Sequence, residues 1–269
     1  MGIVVQKFGG TSVQSTEKLF EICKHITKEY DEDNQVIVIV SAQGNTTDNL
    51  IKEAKEINEK LDKRELDVLL SVGEQITIAK LAMCLKNLGY EAVSLTGWQA
   101  QIKTNDIYGN ADILKINLDR ILKELNAKKI IIVAGFQGIN EETNDITTLG
   151  RGGSDTTAVA LAAAIKADRC DIYKDVDGIY NIDPKINDNA FKYDKITYDE
   201  MLKLSNNGAK VLHNKSIEIA KKFNVKIHVK SLYNLTALIE KYKKKTTIII
   251  MIVVENNDIN VNSILLAIY

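Results

Sequence analysis

Several things are scarce in this chain of 269 residues. It has one proline, Pro184, so no proline-rich linker divides it. It has three cysteines, Cys23, Cys84 and Cys170, far apart and without metal-ligand spacing, as expected of buried thiols in a reducing compartment. His25, His213 and His228 are equally dispersed, so zinc chemistry has no support. The formal net charge is only -1, which gives no electrostatic case for nucleic acid or an acidic membrane. No uninterrupted apolar run approaches the roughly 20 residues needed to span a bilayer. The opening MGIVVQKFGG has no basic stretch followed by a long apolar one, so no secretory signal is expected and the location reads as cytoplasmic. The common nucleotide motifs are missing too. There is no GxxxxGK[ST], no GxGxxG and no protein-kinase set of catalytic motifs.

What is present is alternation. IVVQKF, QVIVIVSA, YEAVSL, KIIIVAG, CDIY and KIHVKSL are short apolar runs of the kind buried on both faces of a parallel sheet. Between them lie helical patterns. Leu19, Ile22, Cys23, Ile26 and Tyr30 recur at helical spacing behind a Ser15 cap, and Leu66 to Leu88 and Asn214 to Phe223 read the same way. This predicts an α/β fold: a mostly parallel central sheet between helices, in three layers.

In such sheets ligands sit beyond the carboxyl ends of the strands. Four polar clusters fall there: KFGGTS (residues 7–12), SAQGNTTD (41–48), FQG with TTLGRGGSD (136–155), and YKDVDGIYNIDPK (173–185). KFGGTS and GRGGSD each combine glycines, which bare the backbone N–H groups, with a fixed cation, Lys7 or Arg151. A helix end beside them adds partial positive charge. Taken singly, each loop is equally well a tight turn. Four at equivalent edges point to one composite site with two anion cradles, as phosphoryl transfer requires.

The motifs VQKFGGTSV, QVIVIVSAQGNTTD, SVGEQIT, TGWQAQI, FQGIN, TTLGRGGSDTTA, KDVDGIYNIDPK and GAKVLH occur in this order. Over about residues 1 to 234 the sequence resembles the catalytic domain of bacterial aspartate kinases, in the amino acid kinase superfamily. The resemblance implies transfer of the γ-phosphoryl of MgATP to the side-chain carboxylate of L-aspartate. The product leads to lysine, threonine, methionine and diaminopimelate. It implies Lys7 and Asp155 as catalytic residues. Ser41, Thr47, Glu74, Arg151 and Ser154 hold aspartate, with Glu74 facing its ammonium. Lys7, Phe8, Gly9, Gly10, Lys174, Asp175, Tyr180, Lys185 and Lys210 serve the nucleotide. ATP brings the Mg²⁺, and no metal ligands of the protein are expected. The partners implied are aspartate and ATP, a second copy in a homodimer, and a separate regulatory subunit as a further option. Asp155 reads as an orienter of lysines rather than a proton acceptor.

The chain departs from that family at Lys174, where threonine is usual, at Lys185 in place of arginine, at Asn214 and Lys215, and near Asn144. Its catalytic domain is expected over 1–245 and a short tail over 246–269, too short for a complete ACT unit, since one βαβ unit alone takes about 30 residues. TTIIIMIVV reads as one strand remaining from such a unit or as a strand added at a dimer edge, and loss of lysine or threonine inhibition is expected unless a separate ACT subunit binds. Two other readings are a kinase of the same fold for another carboxylate or carbamate, and a weakly catalytic nucleotide-binding partner subunit.

Overall fold

A computed structural model describes residues 2–176, 178–182, 187, 189–209 and 211–232. Lys185, Lys210 and the tail at 246–269 therefore lie outside the described residues, and residues 2–232 form one compact unit. In chain order the elements are β1 (Ile3–Phe8), α1 (Thr16–Asp31), β2 (Gln35–Val40), α2 (Thr46–Ile57), α3 (Lys63–Asn87), β3 (Ala92–Leu95), β4 (Ile102–Thr104), β5 (Ile113–Ile116), α4 (Asp119–Asn126), β6 (Ile130–Ala134), β7 (Gln137–Asn140), β8 (Ile146–Thr148), α5 (Gly153–Ile165), β9 (Arg169–Lys174), α6 (Tyr198–Asn206), α7 (Asn214–Phe223) and β10 (Ile227–Ser231).

Six strands form the main sheet in the order β10-β9-β1-β2-β6-β3, every pair parallel. The six runs read as strands in the sequence are these six. Parallel pairing puts all their carboxyl ends on one edge, where KFGGTS, SAQGNTTD, FQG and the described start of YKDVDGIYNIDPK follow, while TTLGRGGSD follows β8 and meets that edge through Asp155. A second sheet, β5-β4-β7-β8, was not foreseen. Its strands are three or four residues long and mix threonine, glutamine and lysine, so they carry no clear period.

Strand parity divides the apolar runs between two cores. Val36, Val38 and Val40 of β2, with Ile130 and Ile132 of β6, face α1 and α3. Ile37 and Ile39, with Ile131 and Val133, face the opposite layer, which includes α5 and α7. A run such as QVIVIV is apolar throughout because each face needs its own half. The Ser15 cap accepts from the Lys18 N–H at 3.3 Å, as its sequence position suggested.

Among the described helices, α3 alone is long and apolar enough to cross a membrane by length and composition. Looking for uninterrupted apolar runs misses it, because charged residues punctuate its sequence. It is a core helix here, burying Leu70, Ile78, Leu81 and Leu85 together with the carboxylates of Asp67 and Glu74. The three cysteines are free and buried, as expected.

Ile39 is fully buried between sheet and α5-side core, whereas Ile57 is 87% exposed at the end of α2. Ile39→Ala should lower stability by about 2–5 kcal/mol in urea unfolding, and Ile57→Ala by no more than about 0.5 kcal/mol.

Candidate active site

The same parity that splits the cores builds the charged centre. In β1, Val5 faces the α5 side, so Lys7, two residues on, must face it as well. In β9, Cys170 and Ile172 face that side, so Lys174 does too. The strands pair with Lys7 opposite Ile172, which sets Lys174 one pleat further toward the carboxyl edge. Both lysines meet Asp155, in the first turn of α5. Lys174 Nζ donates to Asp155 Oδ2 at 2.7 Å. Lys7 Nζ lies 2.7 Å from Oδ1, an ion pair outside hydrogen-bond angles. An ammonium has three N–H donors, so pairing with Asp155 leaves Lys7 others for a ligand.

Lys7 and Asp155 are 5% and 4% exposed. Burial pushes the Asp155 carboxyl up, but the charges of Lys7 and Lys174 outweigh this and hold it below its ordinary range. Lys174 is shifted down, first by burial and then by the nearby Lys7 charge, against the pull of Asp155. Two ammoniums on one carboxylate leave a net positive centre.

Beside that centre is open space. Among the described residues, a Cβ added at Gly9 would find one heavy atom within 4 Å beyond its chain neighbours, Lys7 Nζ at 3.5 Å. The Gly9 backbone and the Lys7 ammonium therefore border a glycine cradle that a side chain would begin to fill. Gly10 packs on the next loop: its Cβ would stand 2.7 Å from the Ala42 carbonyl oxygen, and its own carbonyl accepts from the Gly44 N–H at 3.0 Å. Any side chain at Gly10 would prise the first two clusters apart.

Ala42 links the cradle to α3. Its N–H donates to Glu74 Oε1 at 2.9 Å, and its methyl packs where Gly73 has no Cβ, at 2.7 Å from where one would be. Glu74 is 2% exposed, and its second oxygen, Oε2, has no hydrogen-bond partner. A buried carboxylate oxygen without a donor is costly unless a ligand supplies one. Burial pushes its pKa up to about 7, and the Ala42 N–H only partly opposes the shift.

The other expected residues are placed less centrally. Ser154 is buried next to Asp155, and its Cβ and Oγ stand against Gly135, 2.8 Å from where a Cβ would be. Ser41 and Thr47 are half-buried, one just past β2 and the other in the first turn of α2. Arg151 is exposed between Gly150 (φ 72°) and Gly152 (φ 71°), which take left-handed backbone that side chains resist. Asp175 is exposed just beyond β9, and Tyr180 bridges to Lys192 in a small antiparallel contact. The Phe8 ring does not reach the edge. It is fully buried and stacked on Tyr173, with centroids 4.6 Å apart, because parity turns it to the α1 side. Only its backbone borders the cradle, where its carbonyl accepts from the Ser41 N–H.

Two buried side chains supporting the site were not singled out in the sequence. Asp67 of α3 is fully buried and accepts from three groups of the segments flanking the GRGG loop. Gln137, also fully buried, donates to the Ser71 carbonyl of α3 at 2.8 Å. The available signal was spacing, since Asp67 and Glu74 are seven apart and so lie on one helix face.

Among the described residues no group of three His, Cys, Asp or Glu side chains is placed to hold a metal. The site can neutralise an anion in the cradle and accept a donor at Glu74.

The Glu74 shift fixes a pH dependence. Its folded pKa of about 7 stands above the ordinary carboxyl value of 4.5, so its contribution favours folding below pH 4.5 and is lost as pH rises to 7. Glu74→Gln should match the wild type in pH-dependent stability below pH 4.5. It should gain up to about 3 kcal/mol on it by pH 8 in urea unfolding. A difference constant with pH would contradict the assignment.

The chain is similar to known proteins in sequence and fold. A family model described as "Amino acid kinase family" matches residues 2–231. The chain is 54% identical over 231 residues to an aspartokinase of Bacillus sp. (strain MGA3), covering 86% of this chain and 56% of the relative. It superimposes on the crystal structure of aspartate kinase from Synechocystis with a TM-score of 0.76 at 44% identity, covering 86% of this chain and 38% of that one. It also superimposes on E. coli aspartokinase III in complex with aspartate and ADP, with a TM-score of 0.76 at 26% identity, covering 87% and 63%. The chain spans about half the length of the curated relatives it matches. By its sequence match and by its fold, it belongs to the amino acid kinase family.

Proposed function

We propose that this chain carries the catalytic unit of an aspartate kinase, over residues 1–245. It transfers the γ-phosphoryl of ATP to the side-chain carboxylate of L-aspartate. The observation that carries the reading is the pair of lysines on Asp155 beside an open glycine cradle, with a donor-seeking Glu74 one loop away. The aspartokinase names of relatives near 54% identity support the substrate.

The chemistry asks for charge management rather than a base. A free aspartate side chain has a pKa of about 3.9 and is already a nucleophile at pH 7. The obstacle is bringing it up to a polyphosphate. Lys7 and Lys174 offset that repulsion at the cradle, and the backbone N–H groups of Gly9 and Gly10 orient the phosphoryl oxygens. Asp155, paired with two ammoniums and held ionised, keeps both cations in place and is poorly suited to accept a proton. Glu74 Oε2 accepts from the substrate ammonium, and Arg151 offers a two-pronged donor to the α-carboxylate. Ser41, Thr47 and Ser154 supply hydroxyls around it. Asp175 and Tyr180, past β9, border the nucleotide, with Lys185 and Lys210 assigned to the same side. Mg²⁺, held by the phosphates of ATP, supplies further charge neutralisation.

The chain should form aspartyl hydroxamate from aspartate, ATP and hydroxylamine. Lys7→Met should cut that turnover by about a hundred- to a thousandfold while its circular dichroism and melting stay near wild type. A folded Lys7→Met chain with near-normal turnover would remove the central assignment.

A further inference from the structure

Resting on that reading, we infer that Asp67 is a positioning residue that sets the separation between the two ends of the amino-acid substrate site. Asp67 does not reach the cradle. It grips the segments on which the exposed Arg151 is mounted.

Asp67 is 0% exposed. Its Oδ2 accepts from the Gly109 N–H at 2.9 Å and the Thr148 N–H at 2.8 Å, and its Oδ1 accepts from the Thr148 hydroxyl at 2.7 Å. Burial raises its pKa, against these three bonds, yet each is a donor that a carboxylate accepts. Thr148 is the last residue of β8, three positions before Arg151. The Thr148 carbonyl in turn accepts from the Ala111 N–H at 2.8 Å, which closes the 109–111 segment onto the same point. Asn110 from that segment abuts Gly150, with its Oδ1 2.9 Å from where a Cβ would be.

The other anchor of Arg151 is α5, whose first turn carries Asp155. Between Thr148 and α5 the chain turns through two left-handed glycines, with the Leu149 N–H donating to the Phe136 carbonyl at 2.8 Å and the Gly153 N–H to the Gly150 carbonyl at 3.0 Å. The arginine mount is held at Thr148 by Asp67, at Leu149 by the Phe136 carbonyl and at its far end by α5. Gln137 reinforces the first. It pairs in register with Thr148 across β7–β8 and donates to Ser71, one turn along α3 from Asp67. Asp67 and Glu74 lie on the same helix, seven residues or about 10.5 Å apart. One rigid helix thus holds the ammonium end of the site directly and the carboxylate end through Asp67.

The test separates substrate positioning from general stability. Asp67→Ala in the full chain should raise KM for aspartate at least about tenfold and leave KM for ATP within about twofold. Asp67→Asn should recover most of this, because its amide oxygen can accept both N–H groups while its NH₂ donates to the Thr148 hydroxyl. Thr148→Val, which removes one bond of three, should show the same split at smaller size, and it decides the matter if Asp67→Ala does not fold. Equal rises in both KM values, or no recovery in Asp67→Asn, would overturn the inference. If the wild-type chain forms no aspartyl hydroxamate, the kinase reading falls, and amide hydrogen exchange decides the inference instead. Asp67→Ala, or Thr148→Val if the former does not fold, should then speed exchange at Leu149, Gly152 and Gly153 severalfold relative to the β6 amides. Unchanged exchange would reject it.

Discussion

One carboxylate organises the centre of this molecule. Asp155 stands between two ammoniums that come from neighbouring parallel strands, and all three groups are largely removed from water. Bringing two like charges this close is unfavourable alone, and the shared counter-ion makes it tolerable. Removing the shared carboxylate would strand two buried ammoniums, a loss typically worth about 3–5 kcal/mol, whereas removing one lysine leaves Asp155 paired with the other. The helix carrying Asp155 enters directly from the glycine loop, and its alanine-rich body, from Ala158 to Ala162, packs closely under the sheet. The position of one side chain therefore depends on sheet register, helix packing and loop geometry together.

The main sheet was legible because its strands are buried on both faces. QVIVIV and KIIIVAG leave no other economical solution for so many β-branched residues. The shared edge was legible for the same reason, since parallel order places every following loop on one side. The second sheet was not, because residues such as Gln137, Thr147 and Thr148 are polar yet fully or almost fully buried. They earn burial through partners distant in sequence, and no local pattern reports that.

The site shows the same division. KFGGTS and GRGGSD suggested anion cradles only when read together with the other loops, and the structure brings Lys7, Asp155 and Lys174 together. Phe8 lends the cradle only its backbone, since alternation turns its ring into the core. Asp67 was hidden within an apolar helix, where ELDVLL reads as ordinary amphipathic punctuation. Its role is visible only when Thr148, 81 positions away in sequence, is seen against it.

The alternation that aims Lys7 also limits how this chain can change. A single residue inserted or deleted within β1 would turn Lys7 into the apolar layer now occupied by Phe8, and it would turn Phe8 toward Asp155. A two-residue change would restore the face but move the ammonium about 6.6 Å along the strand, out of reach of its partner. Loops at the opposite edge of the sheet face no such restriction. Length variation among chains of this architecture should therefore gather at the amino ends of the parallel strands, leaving the stretch from Ile3 to Gly10 at fixed length.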